Sequence, residues 1–254
     1  MVDQKKQVVD LLKAIETGAS EPAGAIDATR YTQHNLGVAD GLAGFGALLA
    51  QLPKGSARVS TRRVFQDGPF VFAHTEYDFF GPKIGFDIFR FENGKIVEHW
   101  DNLQTTEGPN PSVRTMIDGP TDAGAAANTG ATKQVARAFV DDILVNGRID
   151  KLTGYFGERY LQHNPHIADD LSGLGAALEA MAKQGITMKY HRIHQVLGEG
   201  DFALVVSEGE FGGKPTSFYD LFRVENGKIA EHWDTIEEIP ARSDWKNANG
   251  KFGF

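Results

Sequence analysis

The sequence predicts an α+β protein made of two tandem domains, each with helices packed on an antiparallel sheet. Three observations carry that prediction. Residues 86–101 read F-D-I-F-R-F-E-N-G-K-I-V-E-H-W-D, and residues 219–234 read Y-D-L-F-R-V-E-N-G-K-I-A-E-H-W-D. Each copy passes from helical to strand periodicity once, which argues against a parallel sheet with alternating elements. An Asn-Gly pair, Asn93-Gly94 and Asn226-Gly227, joins the last two predicted strands of each copy, the strongest short hairpin signal.

The 254 residues divide into copies of roughly 125, enough for separate cores. The expected boundaries are domain 1 over 1–110, a linker over 111–130 and domain 2 over 131–254. The stretch 105–130 is rich in Gly, Pro, Ala, Thr and Asn, long for a loop inside one compact domain. The net charge is −8, with no Lys/Arg cluster, so neither nucleic acid nor an anionic membrane is an expected partner. The chain has no cysteine, which removes thiolate nucleophiles and Cys metal sites and fits a reducing compartment. The start is charged, and no apolar run approaches the roughly 20 residues that span a bilayer. A cytoplasmic location is the expectation.

In order, Val8, Leu11, Leu12 and Ile15 predict a helix over 4–17, stopped by Gly18. A loose stretch leads to Tyr31-Thr32-Gln33-His34-Asn35. Residues 41–49 predict a short helix closed by Pro53, although its glycines weaken it in isolation. Strands are predicted over 58–66, 69–79, 83–92 and 95–104. In the second copy Val135, Ala138, Phe139 and Ile143 repeat the first helix, and Ile149, Leu152, Tyr155 and Phe156 predict a further helical segment. Tyr160-Leu161-Gln162-His163-Asn164 matches Tyr31 to Asn35 at an offset of 160 − 31 = 129, and the final triplets are offset by 232 − 99 = 133. The tail from 241 to 254 carries Trp245, Phe252 and Phe254, which predict docking at an unassigned place.

Along the last strand, alternation puts Val97, His99 and Asp101 on one face and Ile96, Glu98 and Trp100 on the other. If the first face lines a cavity, His99 and Asp101 form a general acid/base pair with Asp87 on the hairpin partner. His232, Asp234 and Asp220 repeat the set. The candidate catalytic residues are Asp101, His99, Asp234 and His232. The candidate ligand-binding residues are His34, Asn35, Asp87 and Trp100, with His163, Asn164, Asp220 and Trp233. The alternative is structural: the Asp accepts backbone N–H groups, the His is a satisfied core group, and His34 and Asn35 cap a turn. His74 aligns with Val206 and is not assigned chemistry. A His34, His99 and Asp101 metal set is the weaker option; no metal and no cofactor are expected. No nucleophile elbow or phosphate loop is present.

The Tyr-x-Gln-His-Asn segment, the Gly-Phe/Leu-Gly helix and the Phe-Arg-x-Glu-Asn-Gly-Lys-Ile-x-Glu-His-Trp-Asp hairpin resemble the SnoaL-like proteins of the NTF2-like superfamily. More narrowly they resemble the predicted SnoaL-like aldol-condensation-catalysing group. The second copy, with Gln162-His163-Asn164-Pro165-His166, is the closer; Leu36 stands where that Pro stands. The resemblance implies a cone-shaped fold with helices closing a curved sheet around an apolar pocket. It implies cofactor-free enolisation by a pocket Asp, helped by a His, which fall on Asp101 and Asp234 with His99 and His232. It also implies pairing through sheets, here as an intramolecular pseudo-dimer with room for a further homodimer. The expected activity is that of an aldol cyclase or isomerase on a small apolar, carbonyl-containing ligand. The alternative is a binding module of the same fold without catalysis.

Overall fold

A computed structural model describes residues 3–52, 55–125 and 127–254. The chain forms two units. One comprises Met1–Thr105 with Pro240–Phe254, and the other Thr106–Ile239.

The first unit opens with α1, Gln4–Thr17. Asp3 caps it by accepting from the Lys6 N–H, and Gly18 ends it at φ 70°, a left-handed conformation glycine adopts cheaply. Val8, Leu11 and Leu12 of α1 are buried against the sheet, each stabilising by roughly 1.5–3 kcal/mol. A short 3-10 turn leads to β1, Thr32–Gln33, and then to α2, Gly41–Gln51. Pro53, the predicted end of α2, lies outside the described residues. A Cβ on Gly44 would fall 1.8 Å from the Ala39 carbonyl oxygen, so the glycine that weakens α2 is the residue its first turn requires.

Strands β2 (Arg58–Asp67), β3 (Phe70–Asp78), β4 (Pro82–Glu92) and β5 (Lys95–Thr105) follow. The sheet order is β1-β5-β4-β3-β2. β1 runs parallel to β5, and the other pairs are antiparallel, so the sheet is mixed and open. The β4–β5 turn has Asn93 and Gly94 at φ 50° and 77°, as the Asn-Gly signal predicts.

The second unit repeats this plan. Helix α3, Thr129–Phe139, continues as a π-helical turn over Val140–Val145. The helical segment predicted from Ile149 is a 3-10 helix, Ile149–Tyr155, and it stops one residue earlier than expected, since Phe156 already begins β6, Phe156–Gln162. Then come α4 (Asp170–Lys183), β7 (Met188–Glu199), β8 (Phe202–Phe211), β9 (Lys214–Glu225) and β10 (Lys228–Glu238), in sheet order β6-β10-β9-β8-β7.

Two expectations change. The predicted linker is part of the second unit, and the predicted end of domain 2 is part of the first. Hydrogen bonds explain why. Asn110 Nδ2 donates to the Gln162 and Ile167 carbonyls at 2.6 and 2.8 Å, and Arg114 Nε bridges both Asp169 oxygens at 2.9 Å. In the tail, Asn247 Nδ2 donates to the Asn35 and Val38 carbonyls at 2.8 and 2.9 Å, and Phe254 stacks on Trp100 at 4.4 Å. The second change is on β5. Glu98 pairs with Arg90 but Ile96 pairs with Phe91, so Val97 is a bulge. The extra residue turns Ile96 to the same face as Phe89 and Phe91, not to that of Glu98.

Candidate active site

The polar groups converge because β1 and β5 run side by side. Gln33 pairs with His99, and the His34 N–H donates to the His99 carbonyl at 2.9 Å. Asp87 on β4 lies directly opposite Asp101, and Phe89 opposite His99. In the second unit Asp220 lies opposite Asp234, and Phe222 opposite His232. Like charges directly opposite on a ladder destabilise it. The arrangement recurs in both units, so something must compensate.

The compensation is a shared proton, and its place follows from the hydrogen bonds. Gln162 Oε1 accepts from the His163 and Asn164 N–H groups, both at 2.9 Å, which fixes the amide orientation. Its Nε2 donates to the Tyr160 hydroxyl at 2.9 Å. His232 Nδ1, 3.0 Å from that same Oε1, must therefore carry a proton. Its Nε2 then faces Asp220 Oδ1 at 3.0 Å, a contact that needs one proton between ring and carboxyl. The first unit repeats the logic. Gln33 Oε1 accepts from the Asn35 N–H at 2.8 Å and from His99 Nδ1 at 2.9 Å, and His99 Nε2 lies 3.1 Å from Asp87 Oδ1.

Burial lifts the Asp87 carboxyl above its ordinary range, against the opposing effect of the His99 hydrogen bond. Burial opposes charge on His232, but the Asp220 hydrogen bond and the charges of Asp234 and Asp220 outweigh it and hold the ring's pKa up. Burial also raises Asp234, with His232 pulling the other way. Asp101 and Asp234 differ from the dyad acids. Asn35 Nδ2 donates to Asp101 Oδ2, and Asn164 Nδ2 to Asp234 Oδ2 at 2.7 Å, while the second oxygen of each is buried without a hydrogen-bond partner among the described residues. Lys251 Nζ of the tail approaches Asp101 Oδ1 at 3.7 Å.

Asn35, Asp87, His99 and Asp101 line a cavity of about 280 Å³, with Leu12 and Phe45 among its apolar wall. In the second unit Asp220 and His232 line one of about 190 Å³, with Phe139 and Leu174 in its wall. Asp87, His99, Asp101, Asp220, His232 and Asp234 are all buried, none more than 8% exposed.

The sequence also grouped residues that the fold separates. His34 and Trp100 do not line the cavity; they stack on each other at 4.8 Å on the other side of β5. His34 Nε2 meets Glu98 Oε1 at 3.0 Å, and its Nδ1 meets the Gly250 carbonyl at 2.8 Å. His163 and Trp233 stack likewise at 4.5 Å, and His163 meets Glu231 at 2.8 Å. Burial alone would raise the Glu98 and Glu231 carboxyls, yet hydrogen bonds from His34 and Arg90, and from His163 and Arg223, hold both below the usual range. His74 stacks on Phe86 at 4.1 Å and contacts Arg63 at 3.1 Å, also off the cavity.

The His34, His99 and Asp101 set is not assembled, because His34 points away. Asp87, His99 and Asp101 each offer an atom within 4.8 Å of the others, as do Asp220, His232 and Asp234. Both nitrogens of each ring are already committed, one to Gln and one to Asp, so these donors do not form a ready metal cage. Sequence reading passed over the dyad-orienting Gln33 and Gln162, although they recur in the Tyr-x-Gln-His-Asn motif. It also passed over Tyr77 and Tyr190, for which no repeat signal exists.

Fold and cavity together define a class: an α+β domain with an open mixed sheet and buried carboxylates beside an apolar hollow, lined by Asp87 and Asp101 in the first unit and by Asp220, but not Asp234 or Asn164, in the second. The second unit is a SnoaL-like domain, since the family model so described matches residues 136–232. The first unit repeats the motifs and the sheet order of the second. Among solved structures, a candidate ketosteroid isomerase from Kribbella flavida is similar at 15% identity, covering 46% of this chain and 85% of that one, with a TM-score of 0.37. IdmH, a candidate polyketide cyclase from Streptomyces antibioticus, is similar at 18% identity, covering 40% and 93%, with a TM-score of 0.34. An LEH-like epoxide hydrolase from M. tuberculosis is similar at 20% identity, covering 43% and 84%, with a TM-score of 0.33. A comparison with curated protein sequences gave no match. Among the described residues no helix is long and apolar enough to cross a membrane.

Proposed function

We propose that each unit is a general acid/base site that moves a proton on carbon next to a carbonyl of a small apolar molecule. The observation that carries this reading is the unequal pair of carboxylates. Asp101 and Asp234 each keep one oxygen without a hydrogen-bond partner among the described residues, while Asp87 and Asp220 are tied to a histidine that shares their proton.

In this reading Oδ1 of Asp101 or of Asp234 takes a proton from the α-carbon. The electron pair of the broken C–H bond moves into the carbonyl, which becomes an enolate. The Asp87–His99 or Asp220–His232 dyad supplies the proton that the enolate oxygen needs. For an isomerisation the Asp returns its proton to another carbon while the enol O–H proton goes back to the dyad. For an aldol closure the enol carbon attacks a second carbonyl of the same molecule, the enol O–H proton goes back to the dyad, and the new alkoxide takes the proton held by the Asp. Burial that raises Asp234 makes it a stronger base than a carboxylate in water. The apolar walls favour a ligand that is hydrophobic apart from its carbonyl.

The test is a screen of cyclic enones and diketones for substrate-proton exchange into heavy water, with wild type beside a variant combining Asp101→Asn and Asp234→Asn. The reading expects exchange by wild type and its loss in the folded variant. Saturable binding without exchange in either protein would overturn it in favour of a binding module.

A further inference from the structure

Each dyad acid receives a phenol, and the two phenols come from different strands. Tyr77 of β3 donates its hydroxyl to Asp87 Oδ2 at 2.6 Å. Tyr190 of β7 brings its hydroxyl to 3.2 and 3.4 Å from the two Asp220 oxygens. These are not equivalent positions. The offset that carries Glu76 to Glu208, 208 − 76 = 132, carries Tyr77 to Gly209. Tyr190 is instead the cross-strand partner of Gly209, as Val59 is the partner of Tyr77.

Packing accounts for the exchange. A Cβ on Gly209 would lie 1.9 Å from the Lys189 carbonyl oxygen, so β8 cannot present a tyrosine there. In the first unit Gly85 leaves space for the Tyr77 ring, which a Cβ would meet at 3.1 Å. At the matching place, 85 + 133 = 218, the second unit has Phe218, stacked on Tyr190 at 4.1 Å. The residues have been redistributed, yet both hydroxyls reach the same carboxyl. Filling the space would need an aromatic ring but no hydroxyl.

We infer that Tyr77 and Tyr190 are positioning residues that anchor the dyad acid and hold its shared proton on the line to the histidine. This deepens the acid/base reading of the pockets and rests on it. With the phenol in place, the carboxylate form of the acid is stabilised and the proton lies toward the ring. Without it, the acid loses a donor and draws the proton to itself. The neighbouring charges are Asp101 with Lys251 in the first unit, and Asp234 with His166 in the second. Tyr31 and Tyr160 sit beyond the Gln side chains.

The experiment is nitrogen NMR of the His99 and His232 rings in Tyr77→Phe and Tyr190→Phe, across neutral pH and without substrate. Phenylalanine keeps the ring, so a space-filling role predicts spectra like wild type, and that result would overturn the inference. The expected result is a shift of Nε2 toward neutral imidazole in the mutated unit, with the other unit unchanged. If one variant does not fold, the other decides. A supporting result would be recovery of the wild-type signal when Val59→Tyr and Gly85→Phe are added to Tyr77→Gly, which copies the second unit. Because the readout needs no turnover, it can fail while the Asp101 and Asp234 test succeeds, or the reverse.

Discussion

Asn35 binds one oxygen of Asp101 and leaves the other without a hydrogen-bond partner among the described residues. Asn35 is itself held by an Asx-type turn, its Oδ1 accepting from the Gly37 N–H at 2.8 Å. One carboxylate oxygen is thus tethered to a turn, and the other, 3.7 Å from Lys251 Nζ, is the one the proposed chemistry uses. Replacing Asn35 by Ala should lower turnover on any substrate found by about ten- to a hundredfold, with kcat affected more than KM, because the base loses orientation. Steady-state kinetics of the variant would check this.

Asp234→Asn should stabilise the protein at neutral pH. The folded Asp234 pKa is raised by burial, so its ionisation is easier in the unfolded chain. Its contribution to stability is therefore full below the unfolded pKa near 4 and is lost as pH rises through the folded value. Asparagine removes that loss and can still accept from Asn164. Urea unfolding should show a gain for the variant at pH 7 that vanishes near pH 4; a loss at pH 7 would contradict the burial argument.

Glu231→Gln should act in the opposite sense. Glu231 is 1% exposed and bonded to His163 at 2.8 Å and Arg223 at 2.9 Å. Its pKa is lowered, so its stabilisation is present above the unfolded value and is lost as pH falls through the folded one. The variant should lose about 3 kcal/mol at pH 7, as when one partner of a buried pair is removed, and progressively less in acid. Denaturation curves across pH 3–7 measure the trend.

Gly173→Ala would ordinarily favour a helix by about 1 kcal/mol. Here its Cβ would meet the Ala168 carbonyl oxygen at 2.1 Å. The change should destabilise by about 2 kcal/mol, in the range of overpacked cores, read as a lower melting temperature.

Asn110→Ala should loosen the segment that carries Gln162 while leaving its first-unit counterpart intact. Two donations to carbonyls are lost, about 2 kcal/mol in total. Hydrogen exchange should speed up around residues 162–167 and stay unchanged around 33–38.

Much of this protein was legible in its sequence. The duplication, the hairpins and helix α1 rest on local signals: periodicity, an Asn-Gly turn and a terminal glycine. His99, Asp101 and Asp87 could be placed on one face because strand alternation holds beyond the bulge. Ile96 was misplaced because a bulge shifts the register by one residue, and composition does not announce it. His34 and Trp100 looked like site residues by proximity in sequence, yet they lie off the cavity.

By itself the sequence determined two α+β copies and put His99, Asp101 and Asp87, with their repeats, on one strand face, because periodicity and turn chemistry act over a few residues. That each His bonds the Asp of the hairpin partner, not the Asp two residues on, was decided by the fold. Tertiary structure decided which residues complete each site. It brought Gln33 to His99 through a two-residue parallel strand and Lys251 to Asp101 across 150 positions (251 − 101). It also supplied the phenol from β3 in one copy and β7 in the other. These contacts depend on strand register and steric room between distant segments, which no local pattern encodes.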